Sequence, residues 1–115
     1  MIHLYHEEQW SSFNSALSNF KSNFTLFVTV KLGSLISKKI LNFYPEASIM
    51  QVKNVGRDVA PFLCLLPKLM NFDAVCKIHT KRDGARHTNW RKSLIYGLLG
   101  SPQIIEQYID CFIKE

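Results

Sequence analysis

Short apolar segments typical of buried strands alternate four times with segments whose apolar residues recur at helical spacing. The predicted strands are Ile2–His6, Phe24–Val30, Ser48–Lys53 and Ala74–Thr80. Because a helix follows each strand through a short connection, parallel pairing with right-handed crossovers is favoured. The pattern predicts a three-layer, Rossmann-like α/β fold, an open and mainly parallel four-stranded sheet with helices on both faces.

Capping and breaking residues mark the expected helix ends. Asp58 stands before the third helix as a candidate N-cap, and Pro67 is expected to break or kink that helix. Gly100 is expected to end the fourth helix. Ser101 followed by Pro102 combines an N-cap with a first-turn proline, so the last helix is expected to begin at Pro102.

Length and composition limit the class of protein. The chain has 115 residues, 47% of them hydrophobic, which is typical of a soluble globular domain with one core. It has no apolar run of the roughly 18 residues that a membrane span needs and no recognisable secretory signal, so a cytoplasmic location is expected. Cys64, Cys76 and Cys111 form no Cys-x-x-Cys pair, which argues against a disulfide framework or a zinc ribbon and predicts buried thiols.

The excess positive charge of the chain is confined to one segment. The net charge is +5, and residues 77–92 contain six basic residues and one acidic residue, so the remainder is neutral. A localised positive field attracts phosphates, nucleotides or nucleic acid. The same segment is equally well interpreted as a solvated basic loop.

Two polar segments follow the third and fourth predicted strands. In open parallel sheets, ligands bind outside the carboxyl ends of the strands, near the point where the strand order reverses. Asn54–Asp58 places Gly56 in a strand-to-helix turn whose N–H groups suit an anion, although these residues also suit a simple helix cap. Lys77, His79 and Lys81 alternate from the fourth strand into its loop, and we expect them to project into one crevice.

Individual residues in these segments have alternative interpretations. His79 is a candidate general base, a donor to a phosphate oxygen, or a histidine satisfied within a polar rim. Lys77 needs an anionic partner, for which Asp58 is the candidate. Trp90, beside Arg91, is more often a core residue than a sugar platform. No spacing of metal-ligating residues predicts a metal site.

Several separate blocks of residues occur in the order found in one known family. The blocks are Asn54–Leu63, Phe72–Lys81, Trp90-Arg91 and Leu98–Pro102. Together they resemble the rhamnan synthesis protein F family, most strongly over residues 54–102. The resemblance implies a cytoplasmic, glycosyltransferase-like protein of rhamnose-containing polysaccharide and lipopolysaccharide biosynthesis that uses a nucleotide-sugar such as dTDP-rhamnose. It also implies a fold like the nucleotide-binding half of a GT-A glycosyltransferase.

The resemblance implies roles for particular residues. His79-Thr80-Lys81 stands where GT-A enzymes hold a metal-binding Asp-x-Asp motif, so Lys77, His79 and Lys81 would offset diphosphate charge and no metal cofactor is expected. Asp58 would orient Lys77 or a sugar hydroxyl. The implied catalytic residues are Asp58 and His79. The implied substrate contacts are Asn54, Gly56, Arg57, Lys77, Thr80, Lys81, Trp90 and Arg91.

The resemblance also bears on domains and partners. Family proteins carry this region in longer chains, so residues 1–115 are expected to be a single glycosyltransferase-like domain that is a fragment or a partial version. Implied partners are a nucleotide-sugar donor, a polysaccharide or lipid-linked glycan acceptor, and a larger synthase or a second copy of the chain. Such partners would hold this cytoplasmic chain at the inner face of the cell membrane. Two other classes stay open: binding of nucleic acid or an acidic partner by Lys77–Lys92, and a non-catalytic scaffold that docks through Ile104–Phe112.

Overall fold

Four parallel strands form the sheet of this protein in a computed structural model that describes residues 1–53, 59–80 and 95–113. The strands are β1 (Ile2–Leu4), β2 (Phe27–Lys31), β3 (Ser48–Val52) and β4 (Ile78–His79). Their order is β3-β2-β1-β4, and every described pair is parallel. The predicted α/β class with a parallel four-stranded sheet is therefore confirmed.

The helices follow the strands in the predicted alternation. They are α1 (Trp10–Leu17), α2 (Ser37–Phe43), α3 (Val59–Leu69), α4 (described over residues 95–99) and α5 (Pro102–Ile113), with a 3₁₀ turn at Glu7–Gln9. Of the two outcomes expected at Pro67, a break or a kink, the break is wrong, because α3 runs through this proline to Leu69. A proline removes only one i→i−4 bond of its own, and the next turn is still closed by the Met70 N–H, which donates to the Leu66 carbonyl at 3.1 Å.

The chain divides into two compact units. The first comprises Met1–Glu7 and Thr25–Thr80, and the second comprises Glu8–Phe24 and Lys81–Glu115. All four described strands lie in the first unit, together with α2 and α3, the helices that connect β2 to β3 and β3 to β4. The second unit contains α1, α4 and α5.

One face of the sheet packs against α3. Met1, Phe27 and Met50 meet Leu65 and Leu69 of that helix in a single apolar cluster. The two leucines are four positions apart and therefore lie on one side of α3. Both are almost fully buried, which contributes roughly 2 kcal/mol for each side chain.

The opposite face of the sheet is formed by the most deeply buried aliphatic side chains. Ile2, Leu4, Val28 and Val30 are at most 1% exposed. Since their neighbours on the other face are also buried, β1 and β2 are covered on both sides. The polar residues of these strands, His3 and Thr29, are also buried, and His3 Nδ1 lies 2.8 Å from Thr29 Oγ1.

All four strands are shorter in the structure than the sequence predicts. The first ends at Leu4 rather than His6, because the next two N–H groups donate to the side chain of Thr80 instead of to a strand. The fourth contracts from Ala74–Thr80 to Ile78–His79, because the strand it pairs with, β1, has only three residues. The second strand shifts towards its carboxyl end and includes Lys31.

The cap predicted for the last helix is present. Ser101 Oγ accepts the N–H of Ile104 at 3.2 Å, and Pro102 is the first helical residue. The N–H of Gly100 donates to the Tyr96 carbonyl at 2.9 Å, at the end of α4. These contacts confirm the predicted boundary between α4 and α5.

The prediction that the cysteines are buried is wrong for two of them. Cys64 and Cys111 are exposed, and neither is among the residues that its helix buries, which include Leu65 and Leu69 in α3 and Ile105 in α5. Cys76 is partly buried, and this burial raises the pKa of its thiol. Among the described residues, no helix is both long and apolar enough to cross a membrane.

Candidate functional site

The candidate site lies where the strand order reverses. From β1 the chain moves outward through β2 to β3, and it then returns to place β4 on the other side of β1. In parallel sheets the loops diverge at this point and leave a crevice outside the carboxyl ends of the strands. The residues at these ends of β1, β2 and β4 are called here the switch-point rim: Tyr5, His6, Glu7, Lys31, Ser34, His79 and Thr80.

Thr80 joins the two strands that flank the reversal. Its hydroxyl oxygen accepts the N–H groups of Tyr5 at 3.1 Å and His6 at 3.0 Å, and its own N–H donates to the carbonyl of His3 at 3.0 Å. The residue is 7% exposed. Because both lone pairs of the hydroxyl are engaged, the hydroxyl proton is the group that this side chain can offer to a ligand.

An aromatic and cationic surface follows β1 and β2. The Nζ atom of Lys31 lies 5.3 Å from the centre of the Tyr5 ring, and that ring meets the His6 ring edge-on with centroids 4.9 Å apart. Cation–π contact holds an ammonium group beside an aromatic face. The arrangement suits an anionic ligand that also carries a planar or apolar group.

The loops after β1 and β2 are tied together by side chains. Ser34 Oγ donates to a carboxylate oxygen of Glu7 and also accepts the Ile36 N–H at 3.3 Å. Gly33 has a φ of 79°, which favours glycine, and its N–H donates to the Gln51 side-chain oxygen at 3.2 Å. These contacts hold this part of the rim in a defined shape before any ligand binds.

His79, one of the two implied catalytic residues, lies next to a second histidine. The register pairs His3 with both His79 and Thr29, and residues paired in this way share a face of the sheet about 4.8 Å apart. His3 is buried and its Nδ1 lies 2.8 Å from Thr29 Oγ1, whereas His79 is exposed. The structure thus places one accessible imidazole beside one held by a hydroxyl, on the face that packs against α3.

Lys77 lies beside α3. It precedes β4, roughly 7 Å along the chain from His79, and its Nζ atom is 5.8 Å from the centre of the Phe62 ring in α3. Thr80 lies on the opposite face of the sheet from His79, because successive residues of a strand alternate. The predicted site residues are therefore distributed over two faces of β4.

The remaining predicted site residues lie outside the described part of the chain. They are Asn54, Gly56, Arg57, Asp58, Lys81, Trp90 and Arg91. The strands before the two polar segments, β3 and β4, are the outermost strands of the sheet. The ends of β3 and β4, from which the two polar segments start, are therefore three strand spacings or about 14 Å apart.

The contribution of β1 to the rim was not predicted from the sequence. Tyr5 and His6 fall within the predicted first strand, and neither they nor Glu7 is among the predicted site residues. The available signal was a polar and aromatic cluster directly after the first apolar strand. Across residues 1–53, 59–80 and 95–113, no group of three or more His, Cys, Asp or Glu residues is placed to hold a metal ion.

Comparisons with known proteins identify the family. The family model described as "Rhamnan synthesis protein F" matches residues 1–113. The "Uncharacterized protein WxcX" of Xanthomonas campestris pv. campestris strain B100 is 34% identical over 71 residues, which cover 58% of this chain and 10% of that protein. The same protein of a second strain of this pathovar matches equally. The chain thus spans about a tenth of the length of these curated relatives, and no solved structure matches it.

Proposed function

Since the chain belongs to the rhamnan synthesis protein F family, which suggests a role in rhamnan and polysaccharide synthesis, we propose that it is a glycosyltransferase-like domain that binds a nucleotide-sugar. The proposed donor is dTDP-rhamnose or a related sugar nucleotide. The proposed contacts come from residues of the switch-point rim and from the basic segment that follows Thr80 in the sequence. The observation that carries the proposal is the reversal of strand order between β1 and β4, with this basic segment directly after β4.

The electrostatics of the chain support a diphosphate ligand. The whole net charge of +5 resides in residues 77–92, and Lys31 adds an exposed ammonium group at the end of β2. A nucleotide-sugar diphosphate carries two negative charges that a protein must offset with cations or with oriented N–H groups. In this proposal lysine side chains supply that charge in place of a divalent metal.

The proposed roles follow from residue chemistry. Lys81 and Arg57 bind the diphosphate, and Asp58 orients a sugar hydroxyl or a lysine. His79, which is exposed on the rim, acts as the base or donates to a phosphate oxygen. Asn54, Gly56, Lys77, Thr80, Trp90 and Arg91 complete the proposed contacts. Likeness to the nucleotide-binding half of a GT-A enzyme is part of the same proposal.

Calorimetry tests the diphosphate site. The full chain is titrated with dTDP and with dTDP-rhamnose, in Mg²⁺ and in EDTA, as wild type, Lys81→Ala and Lys39→Ala. Lys39 is an exposed lysine of α2, so its substitution changes the net charge equally without altering the proposed site. Loss of one charge-assisted contact is worth roughly 1.5–3 kcal/mol, so Lys81→Ala should weaken binding about tenfold or more.

The outcomes separate this mechanism from others. Metal-independent binding that weakens in Lys81→Ala alone supports the proposal. Absence of binding, a requirement for Mg²⁺, or equal affinity in the two variants contradicts it.

The concentration of charge also favours a second candidate, binding of nucleic acid or an acidic partner by Lys77–Lys92. Such binding depends on neutralising phosphates and releases counterions, so its affinity falls steeply with salt. A fluorescent single-stranded oligonucleotide titrated at about 50 and 200 mM salt should then show a loss of affinity of roughly 300-fold for six contacts. Affinity that changes little over this range excludes the alternative.

A third candidate, a non-catalytic scaffold, is favoured by the surface of α5. Ile105 is buried, whereas Tyr108 and Phe112 are 45% and 68% exposed. Two exposed aromatic residues one turn apart are suited to docking against another protein. Size-exclusion chromatography of wild type and Phe112→Ser tests it: an assembly that Phe112→Ser dissociates supports a docking role, and a wild-type monomer argues against self-association through α5.

A further inference from the structure

The second unit contains a groove that the proposed nucleotide site does not use. It has a volume of about 230 Å³ and lies between α1 with its following turn and the α4–α5 boundary. Ser12, Ser15 and Asn19 contribute to one wall, and Tyr96 and Leu99 contribute to the other. All of these residues belong to the second unit, whereas the switch-point rim belongs to the first.

The chemistry of the walls selects a class of ligand. None of the described residues that line the groove is charged, so these residues offer no counter-charge to a phosphate or an ammonium group. Ser12 and Ser15 are three positions apart on α1 and present hydroxyl groups, which both donate and accept hydrogen bonds. The facing aliphatic and aromatic side chains need an apolar surface on the ligand. A small, neutral molecule with hydroxyl groups on its edge and C–H groups on one face has both properties.

The aromatic wall has a defined position. Tyr96 is 66% exposed, yet its side chain lies directly over Gly100, where an added Cβ would be 2.7 Å from the Cδ2 atom of the ring and would overlap the Tyr96 carbonyl oxygen. The absence of a side chain at Gly100 therefore allows the ring to pack onto the backbone. Across the groove, the Asn19 side-chain N–H donates to the Leu99 carbonyl at 2.7 Å and holds that amide at the wall.

We propose that this groove binds one ring of a neutral sugar, with a C–H face of the ring on Tyr96 and hydroxyl groups directed to Ser12, Ser15 and Asn19. The site is separate from the proposed nucleotide site and does not depend on it. Stacking against an aromatic face, combined with a few polar contacts at the edge, is the usual arrangement of a small-molecule pocket. The groove has room for a single ring, so the expected affinity is weak.

Saturation-transfer NMR on the full chain tests the proposal with methyl α-L-rhamnopyranoside as the probe. The wild type should transfer magnetisation to the C–H protons of the probe. Tyr96→Ala should weaken the affinity about tenfold or more, and Phe112→Ala should leave it unchanged. Phe112 is the matched control, since it is an aromatic residue of the same unit with 68% exposure that does not line the groove.

Ser15→Leu provides a second, independent variant. Ser15 is exposed on α1, where leucine is a good helix former, so this change fills the groove without disturbing the fold and should also abolish transfer. Absence of transfer to the wild type, or equal transfer to wild type and Tyr96→Ala, overturns the proposal. The proposal is also overturned if dTDP displaces the probe, or if Lys81→Ala abolishes transfer to the probe, because either result assigns the signal to the nucleotide site. Binding of dTDP by Tyr96→Ala with wild-type affinity shows that the two sites are distinct.

Discussion

Replacing Thr80 with valine should destabilise the rim locally and measurably. The substitution keeps the shape of the side chain but removes the oxygen that accepts the N–H groups of Tyr5 and His6. Both donors are half-buried, so each lost acceptor costs roughly 1–1.5 kcal/mol, at the lower end of the range for an unsatisfied donor. The sum is about 2–3 kcal/mol, which corresponds to a fall in Tm of roughly 8–12 °C for a chain of this size.

Two control variants isolate the hydroxyl group. Thr80→Ser keeps the acceptor and loses one methyl group, so it should cost only about 1 kcal/mol. Thr25→Val makes the same chemical change at an exposed position and should have an effect within about 0.5 kcal/mol.

Urea unfolding gives the free energies, and amide hydrogen exchange gives the location. In Thr80→Val the amides of Tyr5 and His6 should lose protection at a free energy below that of global unfolding. Equal stability of Thr80→Val and wild type, or equal losses in Thr80→Val and Thr80→Ser, would refute the argument that this hydroxyl joins β1 to β4.

Other substitutions test the second unit and the buried amino terminus. Gly100→Ala should lower Tm, because the added Cβ would overlap the preceding turn of the chain. A Cβ added at Gly97 meets no described atom within 4 Å, so Gly97→Ala should stabilise α4 by up to about 1 kcal/mol. Thermal unfolding of the two variants compares these effects. Ser101→Ala removes the cap of α5 and should lower the free energy of unfolding in urea by about 1 kcal/mol. An unchanged free energy would show that the cap bond does not stabilise the helix. Burial lowers the pKa of the Met1 amine, so the unfolded chain holds more protons below about pH 8 and stability rises with pH there. Burial raises the pKa of the Cys76 thiol, so the free energy of unfolding should fall above about pH 8.5. Cys76→Ser should reduce that fall. An unchanged pH dependence in Cys76→Ser would contradict the role given to this thiol.

Local chemistry was enough to predict the elements and several of their ends. The apolar residues of β1 and β2, the helical spacing in α1 and the Ser101-Pro102 cap each act over a few residues, so their consequences can be read along the chain. The family resemblance also came from contiguous blocks of residues, and it is confirmed over residues 1–113. The errors at Pro67 and in the length of β4 arose where a distant partner decides the outcome: pairing with the short β1 limits β4, and the packing of Leu65 and Leu69 supports α3 past its proline.

By itself, the sequence determined the alternation of strands and helices, the location of the positive charge and the family. Only the tertiary structure decided that β1 lies between β2 and β4, and hence that the chain reverses between β1 and β4. That order brings Thr80 to the N–H groups of Tyr5 and His6, and His79 beside His3, across about 75 residues of chain. The physical reason is that strand order is set by the combined burial of both sheet faces and by the crossovers that permit it. Neither the burial of the two faces nor the set of possible crossovers is a property of any single segment.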